Sequence, residues 1–190
     1  MRIAVVDHGM GNLPSVARAL EAAGASVVVT SSATEASGAD ALCVPGQGIF
    51  NRCVDNLRAS GLAELIGHWV EQERPFLGIC LGMQVLFESS EEGGTGLGLF
   101  GGRVARLRPA AGSGDVRVPH IGWNEVAGEY FYFDHSYVVH PSDEGLVTGW
   151  CDHGERVAAR IERGPLLAVQ FHPEKSAAAG LALLGRWVAA

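Results

Sequence analysis

From residue 1 to about residue 90, short apolar runs of strand length alternate with stretches of helical periodicity. Residues 3–6 read as a buried strand. Residues 12–23 follow as a helix with Leu13, Val16, Ala17 and Leu20 on one face, and Gly24 supplies the residue that tolerates a left-handed cap. Ser26–Thr30 and Ala41–Val44 read as further strands. Leu62, Leu65, Ile66, Trp69 and Val70 mark a second amphipathic helix, and residues 75–79 begin another strand. Elements of this length, in this order, imply right-handed crossovers onto a parallel sheet covered on both faces.

From about residue 103 the texture changes to short strands separated by turn residues: 130–133, 138–140, 146–151, 157–161 and 166–171. A helix over 176–188 closes the chain, with Leu181, Leu184 and Val188 at helical spacing. The reading is an α/β fold with a mostly parallel central sheet flanked by helices and an antiparallel, strand-rich C-terminal half. The length of 190 residues suggests one domain spanning residues 1–190. Residues 83–87 read as helical, and the glycine-rich stretch 93–102 as a flexible loop.

Several function classes are disfavoured at once. The formal charge is −7, and Arg2, Arg18, Arg52, Arg58 and Arg103 stand singly, so no basic stripe is available to neutralise a nucleic-acid backbone. No apolar run approaches the ~20 residues of a membrane span, and the hydrophobic run at the N-terminus is too short for a signal peptide. Cys43, Cys53, Cys80 and Cys151 show no CxxC spacing, so they are expected to be reduced thiols of a cytoplasmic protein. Gly9-Met10-Gly11 opens a helix after a strand, but the third glycine of a dinucleotide fingerprint would fall on Pro14. The histidines lack metal-ligand spacing, and His8, His68, His120, His140 and His153 are expected in structural or surface roles. No cofactor and no metal are expected.

Gly78-Ile79-Cys80-Leu81-Gly82 follows an apolar strand and precedes a helical stretch. This is the nucleophile-elbow pattern with sulfur in place of the serine oxygen. Glycines two before and two after the cysteine let neighbouring backbones approach. The helix start would favour the thiolate, and the Leu81 N–H would face a developing oxyanion. Far along the chain, an apolar strand delivers His172, Pro173 ends strand pairing, and Glu174 is placed to fix the imidazole tautomer. Pro45-Gly46-Gln47-Gly48, again after a strand, is suited to offer a second oxyanion N–H. Cys80 is read as nucleophile, His172 as its base and Glu174 as the orienting carboxylate. The bland alternatives are a buried cysteine beside two glycines, a turn histidine and a plain turn. They weaken because all three segments occur in one chain.

With these pieces in place the chain resembles the class I (triad) glutamine amidotransferases, and among them the glutaminase subunits of imidazole glycerol phosphate synthase. The resemblance covers essentially the whole chain. It rests on Gly9-Met10-Gly11-Asn12, Pro45-Gly46-Gln47-Gly48, Leu77-Gly78-Ile79-Cys80-Leu81-Gly82-Met83-Gln84, Val118-Pro119-His120-Ile121-Gly122-Trp123-Asn124, His135-Ser136-Tyr137 and Gln170-Phe171-His172-Pro173-Glu174-Lys175-Ser176. The Pro-His-x-Gly-Trp-Asn block points to this particular subfamily.

The resemblance implies a Cys80–His172–Glu174 triad and oxyanion N–H groups from Gln47 and Leu81. It implies a glutamine site lined by Gly46, Gly48, Gln84, Ser136 and Tyr137. It further implies a cyclase partner in a heterodimer, facing Asn12, Trp123, Tyr132 and Lys175, that receives ammonia through a channel. Glutamine hydrolysis by the chain alone would then be slow. Three positions depart from the family pattern: Gln47 where Val is usual, His8 where Tyr is frequent, and Asp134 where an apolar residue is typical. They are expected to bear on the loop's gate and on partner contacts more than on chemistry.

Other readings keep the chemistry and change the partner to an anthranilate, aminobenzoate or pyridoxal phosphate synthase. Others again make the chain a cysteine peptidase or deglycase, or a non-catalytic regulatory module. In the peptidase relatives a His directly follows the elbow cysteine, whereas here Leu81 does.

Overall fold

The computed structural model describes residues 1–110, 112 and 116–190. Its elements run β1 (Arg2–Val6), α1 (Leu13–Ala22), β2 (Ser26–Thr30), α2 (Ala33–Ser37), β3 (Ala41–Val44), α3 (Phe50–Ala59), α4 (Leu62–Glu71), β4 (Phe76–Ile79) and α5 (Leu81–Gln84). They continue with β5 (Phe87–Ser90), β6 (Phe100–Arg106), β7 (His120–Val126), β8 (Glu129–His135), β9 (Tyr137–Pro141), β10 (Val147–Asp152), β11 (Arg156–Arg163), β12 (Leu166–Val169) and α6 (Ala177–Ala189).

The central sheet has the order β10-β11-β12-β4-β3-β1-β2. Strands β12, β4, β3, β1 and β2 are parallel, and β11 and β10 add on antiparallel. The expected mostly parallel sheet with an antiparallel C-terminal half is what forms. Its strands are apolar on both faces because both faces are covered. Ala4, Val6, Leu42, Val44 and Phe76 pack toward α3 and α4, while Ile3, Val5, Ala41, Cys43, Leu77 and Ile79 pack toward α1, α6 and the β7–β8 hairpin. Two smaller sheets, β5-β6-β9 and β7-β8, flank this core.

Three expectations are corrected. The stretch 83–87 is not a continuous helix: α5 ends at Gln84 and Phe87 opens β5. The cause is competition for carbonyls. Leu97 N–H takes Val85 O at 2.8 Å, Leu99 and Phe100 N–H take Leu86 O at 2.8 and 3.1 Å, and Gly98 N–H takes Phe87 O at 3.2 Å, so a helix carried past Phe87 would have to compete with the 97–100 segment for these acceptors.

The same bonds overturn the flexible-loop reading of 93–102. That stretch is tied to 85–90, and Arg58 Nη2 donates to Thr95 O and Gly96 O at 3.2 and 3.1 Å. Its last residues, from Phe100, belong to β6. The strand reading of 166–171 also runs too long: β12 stops at Val169. Beyond it His172 N–H donates to Tyr132 O at 2.8 Å, which draws the chain off the sheet toward β8. Elements α2, α3, β5, β6 and β7 had no counterpart in the sequence reading.

Candidate active site

The central strands β12, β4 and β3 are consecutive neighbours in the sheet, and all three motifs leave from their C-terminal ends. A crevice outside the carboxyl ends of parallel strands is where α/β folds gather functional groups. Here β3 runs into Pro45–Gly48, β4 into Cys80, and β12 into Gln170–Glu174.

Cys80 has φ 53° and ψ −105°, a strained backbone for a residue with a side chain. The strain is tolerated because the flanking backbones interlock. A Cβ on Gly78 would come within 2.8 Å of Gly82 O, and one on Gly82 would overlap the Val44 carbonyl oxygen. Cys80 N–H donates to Val169 O at 2.7 Å, which seats the turn on β12. Helix α5 has four residues, so the anticipated support from a helix dipole reduces to individual N–H groups.

The side chains of His172 and Glu174 are both buried, and His172 Nδ1–H donates to Glu174 Oε1 at 2.8 Å. That bond leaves Nε2 as the free ring nitrogen, and it has no aligned hydrogen-bond partner among the described residues. Burial works to lower the His172 pKa, but the nearby Cys80 sulfur and the Glu174 carboxylate outweigh it and push the value up to about 10. The sulfur is thus within electrostatic reach of the ring without being in hydrogen-bond alignment. The backbone around the ring is held by Ser176, whose Oγ donates to His172 O at 2.6 Å and accepts from Tyr132 N–H at 2.9 Å. Phe131 stacks on Phe171 with centroids 4.0 Å apart, clamping the segment from the other side.

The proposed oxyanion donors are not both available. Leu81 N–H donates to Gly46 O at 3.4 Å, so the Gly46 carbonyl occupies the position an oxyanion would take. The loop is held from two sides. His8 Nε2 donates to Pro45 O at 2.6 Å, with Cys53 Sγ 3.6 Å from His8 Nδ1. Gln47 Nε2 donates to Asp134 Oδ2 at 3.2 Å, and Lys175 Nζ reaches the same oxygen at 3.3 Å. His8, Gln47 and Asp134 therefore converge on one loop.

A cavity of about 320 Å³ opens beside the sulfur, lined by Gln47, Gly48, Cys80, Leu81, Gln84, Ser136 and Tyr137. These include every residue expected at the glutamine site except Gly46, which lies beneath the Leu81 side chain. Glu92, Pro119, Asp134 and His135 complete the lining and were not anticipated there. Glu92 is held by Phe50 N–H, which donates to its Oε2 at 2.7 Å. Nothing in the local pattern marks it, since the contact depends on α3. A larger groove of about 520 Å³ lies at the opposite edge of the sheet, between β12 and α6, and contains no nucleophile.

Below the site, neutral imidazoles form a directed chain. His135 Nδ1–H donates to Tyr137 O at 3.0 Å, leaving its Nε2 to accept from His120 Nδ1–H at 3.0 Å. Burial first, then their like-charged neighbours, lower His120 to about 3; burial lowers His135 to about 4 against the opposing Tyr137 bond. Among the described residues no group of three or more His, Cys, Asp or Glu is arranged to hold a metal ion. No helix among them is long and apolar enough to cross a membrane.

The hairpin presents a different surface. Ile121, Trp123 and Tyr130 are more than half exposed, and Tyr132 meets Trp123 edge to face at 6.0 Å. Lys175 Nζ lies 5.8 Å from the Tyr132 ring centroid, and Asn12 is exposed.

A family model described as glutamine amidotransferase class-I matches residues 4–185. The chain is 42% identical over 202 residues to the imidazole glycerol phosphate synthase subunit HisH of Rhodopirellula baltica, covering 99% of this chain and 97% of that one. It is 45% identical to the HisH subunit of Synechococcus elongatus, covering 98% and 92%. A solved glutamine amidotransferase structure superposes with TM-score 0.76 at 21% identity over 99% of both chains. A putative GMP synthase subunit from Thermoplasma acidophilum superposes with TM-score 0.68 at 17% identity, covering 100% and 92%. Both share the fold.

Proposed function

Because the chain belongs to the class-I glutamine amidotransferase family, we propose that it hydrolyses L-glutamine to glutamate and ammonia as the glutaminase subunit of an imidazole glycerol phosphate synthase in histidine biosynthesis. The convergence of Cys80, His172 and Glu174 above β12, β4 and β3 carries the chemistry. The near-full-length likeness to HisH subunits supports this synthase over its siblings.

In the reaction, the Cys80 thiolate attacks the side-chain amide carbon of glutamine. The carbonyl electron pair moves onto oxygen, which takes hydrogen bonds from Leu81 N–H and Gln47 N–H. His172, as imidazolium, protonates the amide nitrogen, the C–N bond breaks and ammonia leaves. Neutral His172 then takes a proton from water as the water attacks the glutamyl thioester. The C–S bond breaks, its electron pair returns to sulfur, and glutamate departs. Glu174 holds the tautomer and stabilises the imidazolium without itself taking a proton. Glu92 places a carboxylate in the pocket lining, a countercharge for the α-ammonium of the substrate.

For Leu81 N–H to serve, Gly46 O must leave it. Turning the Gly46–Gln47 peptide removes the carbonyl and delivers the Gln47 N–H in one motion. This supports slow turnover by the chain alone, with turning favoured by a cyclase partner docked on Trp123, Tyr132, Lys175 and Asn12. That pairing is a cytoplasmic heterodimer passing ammonia across the interface. The deciding experiment measures glutamate release by the chain alone, with the cyclase, and with the cyclase plus the cyclase's substrate. Strong stimulation only in the last arm is expected; full activity alone overturns the coupling.

A further inference from the structure

Gln170 is fully buried, and a buried primary amide must place two hydrogens and an oxygen. Its position follows from the sheet. β12 and β4 are parallel with Val169 opposite Ile79, so the next residues, Gln170 and Cys80, leave the sheet side by side. Gln170 N–H donates to Ala159 O at 2.9 Å, fixing its backbone on β11.

The side chain's orientation is set by its neighbours. Gln84 Nε2 donates one hydrogen to Tyr137 O at 2.9 Å and the other to Gln170 Oε1 at 3.1 Å. With its oxygen committed to Gln84, the Gln170 amide turns its NH2 group to the nucleophile, and Nε2 lies 3.4 Å from Cys80 Sγ. A backbone carbonyl acceptor thus orients one glutamine, which orients a second, which faces the sulfur. A reversed Gln170 amide would set two NH2 groups against each other.

We propose that Gln170 is a further catalytic residue, a neutral N–H donor that holds the Cys80 sulfur as thiolate and steadies it again as the thioester breaks. The proposal rests on Cys80 being the nucleophile. A thiol sulfur is a weak acceptor and a thiolate a strong one, so an N–H donor aimed at sulfur favours the charged form. The amide neither gives nor takes a proton, and the bond-making of the two half-reactions is unchanged. When the C–S bond of the glutamyl thioester breaks, the electron pair returns to a sulfur already facing a donor.

Alkylation of Cys80 by iodoacetamide reads this directly. Burial pushes Cys43 up strongly and pushes Cys53 and Cys151 up to about 12, so those thiols stay protonated and contribute little background, which a Cys80→Ala protein measures. The variants are Gln170→Leu and Gln170→Met, both without a donor, and Gln170→Glu, which sets a carboxylate against the sulfur.

In the donor-free variants, alkylation at neutral pH is expected to slow about tenfold and its pH profile to move to higher pH. In complex with the cyclase, glutamine-dependent kcat is expected to fall by a similar factor with KM little changed, and Gln170→Glu to lose more. Ammonia-dependent synthesis, which bypasses Cys80, reports that each variant is folded and assembled. An unchanged alkylation profile in a donor-free variant that retains ammonia-dependent synthesis overturns the role of Gln170. Wild-type protein alkylated at Cys80 but still turning over glutamine instead overturns the nucleophile assignment beneath it.

Discussion

Gln47 and Asp134 stand 87 positions apart and are joined by a 3.2 Å hydrogen bond from the Gln47 side-chain amide to the Asp134 carboxylate. The contact ties the loop after β3 to the strand that carries His135 into the pocket lining. Asp134 Oδ2 is shared with Lys175, which lies beside the aromatic face of the hairpin. The loop proposed to serve the oxyanion is therefore linked by side chains to the surface proposed for the partner, and His8 secures its other end through Pro45 O.

The first prediction tests that link. One hydrogen bond contributes about 1 kcal/mol net, close to a fivefold change in an equilibrium. Gln47→Val and Asp134→Ala are each expected to raise glutamine hydrolysis by the isolated chain about fivefold, by freeing the loop to turn. The double variant should show little more than either single one, because both remove the same contact. Glutamate release without partner measures this; additive effects, or none, mean the contact does not restrain the loop.

A second prediction separates the members of the triad. His172→Ala is expected to lower glutamine-dependent kcat about 10²-fold or more, since general acid–base catalysis contributes 10²–10⁴. Cys80→Ala should abolish it, and Glu174→Gln should cost less than Cys80→Ala because the carboxylate orients the ring without transferring the proton. All three should keep ammonia-dependent synthesis with the partner. A Glu174→Gln loss as deep as that of Cys80→Ala would show that the carboxylate does more than orient.

Acid stability follows from the buried imidazoles. His120 and His135 titrate near 3 and 4 in the folded chain, below the ordinary 6.5. Between those values the unfolded chain binds protons that the folded one refuses, so stability is complete above about pH 6.5 and is lost as pH falls toward 4 and then 3. The slope is up to about 1.4 kcal/mol per pH unit for each proton. His172 acts in the opposite sense: its value is raised to about 10, so its contribution is present below 6.5 and lost as pH rises through 10. Urea unfolding of His120→Gln should show a shallower fall from pH 6.5 to 4 than wild type; an identical slope removes His120 from the account.

A fourth prediction contrasts two glycines. Ala at position 82 would drive its Cβ into Val44 O, so Gly82→Ala should destabilise by about 3 kcal/mol or more and distort the elbow. Gly185 sits within α6 with nothing inside 4 Å of the place an added methyl would take, and Gly185→Ala should stabilise by about 0.5–1 kcal/mol through helix propensity. Denaturant midpoints of the two variants should move in opposite directions.

The elbow and the His-x-Glu pair were legible in the sequence because their geometry is local. Gly78 and Gly82 flank Cys80 at a fixed spacing whatever the sheet does, and residues two apart, such as His172 and Glu174, meet by backbone reach alone. The apolar runs of β1, β3 and β4 likewise announce strands buried on both faces. The path of residues 83–102 was not legible, because it depends on which segment claims the carbonyls of Val85, Leu86 and Phe87.

By itself, then, the sequence singled out the elbow cysteine, the His-x-Glu pair and the loop after β3 as the candidates for the chemistry, each following a strand of a parallel sheet. Only the tertiary structure decided that β12, β4 and β3 lie adjacent, that Gly46 O rests on the Leu81 N–H, and that Gln170 faces the sulfur. The physical reason is that local spacing governs what one turn or strand can do. Strand order and register govern which distant donors and acceptors satisfy one another, and those are fixed only when the whole core packs.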